Sequence, residues 1–403
     1  MIKSSMIRFL IIHIIRLLNL LVPKNPKLVV FISDPDYADN PLALYEWLVR
    51  SGKGVDWELK WMFRDQERYI QHARKHVDVF SKSFAGLWNL LRAKVIITSH
   101  NQFGIVSSPE RQVFVSLGHG IYLKNMGYMK HRKHLKERER KEKLASMEIL
   151  RKSISMMVAT SGTFKMMLAA CYHVEGDRIE VAGFPRMDDL FRSDRNKIIN
   201  NWFCGRKVSK LFLYIPTHRR NEEGGLVEGK SLLSEFFAGG LSELQKVLEK
   251  NDSALLIKLH PFEQHEAGRL SSICNYPRIA VVGDNDLYDF PLYQIVGAAD
   301  CLVTDYSSVY IEYLALDRPI VFTATDLGLY EEARGLLLSP YEQWTPGPKV
   351  KDLKGLCEEM PKICGGEDDW QADRKRVRDI LIAYPDGQSA QRVWSAIEAR
   401  THQ

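Results

Sequence analysis

Twelve short apolar runs, separated by polar or helix-patterned stretches, constrain this chain more than any other feature. The first seven are Leu28–Ile32, Trp57–Phe63, Val77–Phe80, Val95–Thr98, Gln112–Ser116, Met157–Thr160 and Ile179–Val181. Five more follow at Lys210–Ile215, Ala254–Lys258, Ile279–Val282, Cys301–Thr304 and Pro319–Phe322. Helical patterns lie between many of them, among them Pro41–Arg50, Phe84–Arg92, Leu232–Glu249, Leu292–Ala299 and Val309–Ala315. Strands that are continuously apolar are buried on both faces, and strands alternating with helices build parallel sheets. A break near Asp194–Val208 divides the series in two. The expectation is an α/β chain of two Rossmann-type doubly wound domains facing a cleft, at 25–200 and 201–368, with C-terminal helices over 369–403. A length of 403 residues suits two domains.

The first 24 residues stand apart. "MIKSSMIRFLIIHIIRLLNLLVPKNP" is apolar but interrupted by Arg8, His13, Arg16 and Asn19. At about 100° per residue these fall with Ser5 on one side, and Ile7, Leu10, Ile11, Ile14, Ile15 and Leu18 mostly cover the other. Two arginines disfavour a spanning helix, and no small-residue cleavage site follows. The pattern predicts an amphipathic helix lying in the cytoplasmic membrane interface; a helix packed on its own domain is the plainer reading.

Lys130–Lys152 holds a basic run, with eight Lys or Arg against three Glu between Lys130 and Lys143. Such runs are usually solvated helix faces, and they also suit anionic lipid headgroups. No aromatic residues alternate with the charges, so no nucleic-acid partner is expected. The net charge of +6 fits an anionic partner of some kind. Six cysteines at scattered positions form no metal-binding spacing and suit a reducing compartment.

In doubly wound sheets ligands sit just beyond the C-terminal strand ends. There the chain repeatedly places cations, imidazoles and hydroxyls. His119 lies between Gly118 and Gly120, with Lys124 after it. Thr217, His218, Arg219 and Arg220 follow one strand; Lys258 and His260 end another. "AGFPRMDDL" carries Arg186, and "TDYSS" carries Thr304, Asp305, Ser307 and Ser308. A neutral imidazole can act as a general base, and arginine forks suit phosphate. Capping of the following helix is the competing explanation for the last turn. Together these groups describe a polyanion site with one or two histidines beside it. No Gly-rich phosphate loop appears, and none of the His-, Arg- or Ser-bearing ends just named carries an Asp-x-Asp pair, so metal-free chemistry without a cofactor is expected.

In order along the chain, "HG…LK..G", "GFPR.D.L", "KLHP", "TDYSS…EY…RPIVF…D…Y…RG", "PGPKV" (Pro346–Val350) and "DGQSAQRVWSAI" (Asp386–Ile397) resemble the CDP-glycerol glycerophosphotransferase family of teichoic acid and capsule synthesis. The resemblance covers nearly everything from Leu28 onward. It implies a GT-B-like architecture with the nucleotide mainly on the C-terminal domain. It implies transfer of a polyol phosphate from CDP-glycerol or CDP-ribitol to a hydroxyl of a lipid-linked acceptor, at the cytoplasmic face of the membrane, with release of CMP. His119 and His260 are then the catalytic pair. Ser307 and Ser308 contact the donor phosphates, with Lys258, Thr217, Arg219, Thr304, Asp305 and Arg334 on the donor side and Lys124 and Arg186 toward acceptor or phosphate. The family usually reads Trp-His-Gly-Thr-Pro-Leu-Lys at the first motif; Ile121 and Tyr122 replace the Thr-Pro here. A nucleotide-sugar glycosyltransferase of the same architecture and a non-catalytic membrane scaffold are the alternatives. The polyol, the acceptor, single or repeated addition, and oligomeric state stay open.

Overall fold

The computed structural model describes residues 2–74, 77–101, 104, 107, 110–129, 136–217, 236–237, 240–258 and 276–402. All twelve apolar runs form strands: β1 Asn25–Ile32, β2 Glu58–Phe63, β3 Val79–Phe80, β4 Ala93–Thr98, β5 Val113–Ser116, β6 Met156–Ala159, β7 Ile179–Val181, β8 Lys210–Ile215, β9 Ser253–Lys258, β10 Ile279–Val282, β11 Cys301–Thr304 and β12 Ile320–Phe322. They make two wholly parallel sheets, ordered β3-β2-β1-β4-β5-β6-β7 and β10-β9-β8-β11-β12. The expected break at Asp194–Val208 is itself partly a helix, Arg195–Phe203, begun by the Asp194 side chain accepting from Lys197 N.

The alternation of side chains along β8 ties the two halves together. Leu211 and Leu213 join the large core that also holds Val29, Ile96 and Phe114 of the first sheet. Phe212 and Tyr214 point the other way, into a separate core with Leu244 and Leu248 of the Leu241–Lys250 helix and Leu356 and Met360 of the Leu353–Gly365 helix. A strand buried on both faces needs this unbroken apolar run.

The last helices, Gln371–Leu381 and Ser389–Thr401, return to the first sheet's side of the molecule. Ala383 N donates to Thr160 O (2.8 Å) and Thr160 Oγ1 to Leu381 O (2.7 Å). Trp394 meets Trp57 edge to face at 5.2 Å. Buried Asp188 accepts from Ser389 N (2.8 Å) and Ala390 N (2.9 Å), capping the final helix from 201 residues away. An Asp188→Ala variant strands both amides, and urea unfolding is expected to show a loss of about 2–3 kcal/mol; an unchanged midpoint would remove Asp188 from this role.

The N-terminal segment is a helix, Ile2–Leu21, but its faces divide differently from the sequence pattern. Asn19, on the polar side with Arg8, His13 and Arg16, is buried and donates to Gln112 Oε1 at 2.7 Å. Ile12 and Ile15 pack on the core. Ile11, Ile14, Leu17, Leu18 and Leu21 are all exposed. Among the described residues no helix is long and apolar enough to cross a membrane. In the basic Glu137–Ser153 helix, Arg138 pairs with Glu142 (3.0 Å) and Arg140 with Glu137 (2.7 Å), as expected of a solvated face.

Candidate active site

Each sheet has one point where the strand order reverses, between β1 and β4 in the first and between β8 and β11 in the second. Loops diverge there and leave a crevice. In the first sheet the crevice lies beside Asp34–Asp39 after β1, Ser99–His100 after β4 and Gly118–Gly120 after the neighbouring β5. In the second it lies beside Thr217 after β8 and Asp305–Ser308 after β11.

The two crevices face each other closely. Gly120 has a φ of +145°, and a β-carbon there would lie 2.8 Å from Ser308 Oγ. Glycine is needed both for that backbone conformation and for that approach. His119, half-buried, thus sits on a loop that meets Ser308 of the second sheet's side. Its ring stacks on His100 with centroids 4.0 Å apart and planes 13° from parallel. Burial and the neighbouring His100 push its pKa down to about 3, against the pull of Asp39. The imidazole is neutral at physiological pH. Beyond His119 the loop pairs with the second half: Leu337 N donates to Leu123 O (2.8 Å) and Asn125 N to Gly335 O (3.2 Å), so Lys124 stands at an exposed bridge to Leu336. Ile121 and Tyr122 are buried instead, Tyr122 edge-on to Phe164 and 3.3 Å from the Tyr172 hydroxyl. Ile121 and Tyr122 thus anchor this loop in the core.

The Asp-Tyr-Ser-Ser turn divides its labour. Asp305, buried, accepts from Thr217 N (2.8 Å) and Tyr306 N (2.5 Å), and thereby fixes the loops after β8 and β11 to one another. Thr304 Oγ1 donates to Ile215 O (2.6 Å). Tyr306 stacks on Tyr330 at 3.9 Å and donates to Asp326 Oδ1 (3.0 Å). Ser308 occupies the N-cap position without a side-chain capping bond, and both serines are half-buried. The capping explanation thus fails for Ser308. The helix it precedes, Val309–Tyr313, is five residues long, so hydroxyls and loop amides matter more here than a macrodipole. Beside this turn is a cavity of about 190 Å3 lined by Tyr214, Phe236, Asp305, Thr323, Thr325, Lys351 and Asp352. Lys258 is buried with its ammonium 3.0 Å from Asp284.

Arg186 is placed unlike a phosphate ligand. Its fork donates to Asp39 Oδ1 (2.5 Å), to Glu312 Oε1 and Oε2 (2.5 and 3.0 Å) and to the His119 carbonyl (3.0 Å). Its guanidinium also lies 4.6 Å from the Tyr293 ring centre. The side chain is 12 % exposed and Glu312 is fully buried, so the cation is consumed within the protein. Arg219 and His260, and the Arg334 side chain, lie outside the described residues. Asp39 and His100, a single histidine after a strand with no glycine beside it, escaped the sequence reading, and Glu312 entered it only as a letter of the "EY" motif with no role.

Two facing parallel sheets with opposed reversal points, a neutral imidazole on one side and a hydroxyl-bearing turn on the other, define a GT-B-like transferase. The family described as CDP-Glycerol:Poly(glycerophosphate) glycerophosphotransferase matches residues 14–399, and the chain belongs to it; it is an enzyme of that kind. Relatives include the teichoic acid glycerol-phosphate transferase of Staphylococcus aureus, 27% identical over 98% of this chain and 100% of that one. The teichoic acid ribitol-phosphate primase of Bacillus spizizenii is 25% identical over 94% and 92%. The solved structure of the wall teichoic acid polymerase TagF superposes with a TM-score of 0.76 at 20% identity, over 94% of this chain and 90% of that one.

Proposed function

We propose that this enzyme moves a polyol phosphate, glycerol phosphate in the first instance, from a CDP-linked donor to a hydroxyl of a membrane-anchored acceptor in teichoic acid or capsule synthesis. The observation that supports it most is the approach of the His119 loop to Ser308 across the cleft. The acceptor hydroxyl gives its proton to the neutral His119 ring as its oxygen attacks the phosphorus that carries the polyol. The bond from that phosphorus to the bridging oxygen breaks, and CMP leaves with the electron pair. Asp39 favours the imidazolium that forms. Ser307 and Ser308 hold the diphosphate through hydroxyls and backbone N–H groups, and His260, Arg219 and Arg334 are the further cationic candidates on that side. The test is CMP release from purified enzyme offered CDP-glycerol, CDP-ribitol and nucleotide sugars, each with and without a lipid-linked acceptor. Acceptor-dependent CMP release from a CDP-polyol supports the reading; turnover of a nucleotide sugar alone, or of nothing, defeats it.

The exposed row Ile11, Ile14, Leu18 and Leu21, on a helix fixed to the domain by Ile12, Ile15 and Asn19, supports docking on a membrane interface. Ile14→Glu with Leu18→Glu touches only exposed positions. It is expected to abolish co-sedimentation with vesicles containing anionic lipid while turnover of a water-soluble acceptor analogue stays within about twofold of the parent, since apolar burial drives such binding. Unchanged sedimentation would exclude this face as the docking surface.

A further inference from the structure

We propose that His100 is a positioning residue for the reaction: its imidazole is the platform that fixes the plane of the His119 ring. This rests on the reading of His119 as the base. The rings lie 4.0 Å apart and 13° from parallel, a face-to-face contact. His100 is itself held. Its Nδ1 is 2.8 Å from Ser99 Oγ, and buried Ser99 also accepts from Asp34 N at 3.1 Å. The platform is therefore anchored to the ends of β4 and β1, the two strands at the first sheet's reversal point. The opposite constraint on the same loop is Arg186 Nη2 on the His119 carbonyl. Between them the backbone and the ring of His119 are each fixed by a separate group.

A glycine-flanked residue needs such help. Gly118 (φ +69°) and Gly120 (φ +145°) leave the backbone around His119 with few steric limits of its own. A base that must meet an acceptor hydroxyl in line with the scissile bond tolerates little rotation, and a misplacement of about 1 Å costs about 10²-fold. The stacked ring supplies an orientation that the loop does not. Charged groups around the pair are Asp39 and Arg186 for both rings, Lys124 for His119, and Asp34 and Arg64 for His100. The planar guanidiniums among them are committed elsewhere, that of Arg186 to Asp39, Glu312 and the His119 carbonyl and that of Arg64 to Asp34 and Asp36, so neither replaces the platform.

The experiment compares His100→Ala with His100→Phe, which retains a flat ring. The first readout is the 15N-histidine NMR spectrum of the full-length protein, with the His119 ring signals assigned from a His119→Gln variant. His100→Ala is expected to shift and broaden those signals, and His100→Phe to leave a single sharp set. The second is steady-state kinetics with CDP-glycerol. His100→Ala is expected to lower kcat about 10- to 100-fold, the range of a small misplacement, with little change in the donor KM, and His100→Phe to recover most of the rate. His119 signals unmoved in His100→Ala overturn the proposal whatever the activity. Equal loss in the Ala and Phe variants also overturns it. If His119→Ala keeps full activity, the base reading fails, but the NMR comparison still decides whether His100 orients the ring.

Discussion

His119→Ala is expected to fold, to bind donor and to transfer it about 10²- to 10⁴-fold more slowly, the usual worth of a general base. The loss should fall on kcat rather than on the donor KM, because the serine turn across the cleft is untouched. CMP release in the presence of acceptor measures it, and a rate within threefold of the parent would end the assignment. The pH dependence carries the same information. A base works unprotonated, and burial holds the His119 pKa at about 3. No loss of rate is therefore expected from this group as pH falls from 8 through its ordinary value of 6.5. For stability the sign is the reverse of a salt-bridged histidine. Between 6.5 and 3 the unfolded chain takes up a proton that the folded chain refuses, so stability declines as pH falls across that window. His119→Gln should flatten that slope in urea titrations.

Arg186 carries the second large effect. Replacing it with Met leaves Glu312, fully buried, and Asp39 without their cation. Removing one partner of a buried pair costs about 3–5 kcal/mol, because the remaining charge is stranded. Arg186→Lys keeps the charge but lacks the planar fork that reaches two carboxylates and a carbonyl together, so an intermediate loss is expected. Adding Glu312→Leu to Arg186→Met should return part of the stability, since two apolar side chains replace a stranded carboxylate. The catalytic rate should not return with it, because the bond to the His119 carbonyl stays lost. Urea midpoints and kcat for the three variants separate these effects. A double variant less stable than Arg186→Met would show that the clasp is not the source of the loss.

The strands were legible because an apolar run buried on both faces leaves a signature that tertiary contacts rarely override; β7, β8, β10 and β11 begin and end where the runs do. Their ends were less so. β1 reaches back to Asn25, which pairs with Ala93, because ladder hydrogen bonds extend past the apolar residues. Arg195–Phe203 was hidden in an expected break because its apolar face is short, Ile198, Ile199, Trp202 and Phe203. At the site, His119 stood out through its glycines. Arg186 stood out as a cation just past a strand, but its carboxylate partners are 147 and 126 residues away, and no local spacing reveals them. His100 belongs to the same class, since a stacked ring is a property of two loops and not of either. The inner side of the N-terminal helix escaped because nothing local shows that Asn19, on the polar side, has a buried partner in Gln112.

The return of the final helices to the first sheet bears on how the chain is born. Thr160 and Asp188 obtain their partners from residues 381, 383, 389 and 390. A nascent chain emerging from the ribosome cannot complete its first lobe when that lobe has been synthesised; it must wait for residues 381–397 to clear the exit tunnel. Until then the surface reserved for Trp394 and Ile397 is bare apolar surface, where incomplete chains are prone to associate.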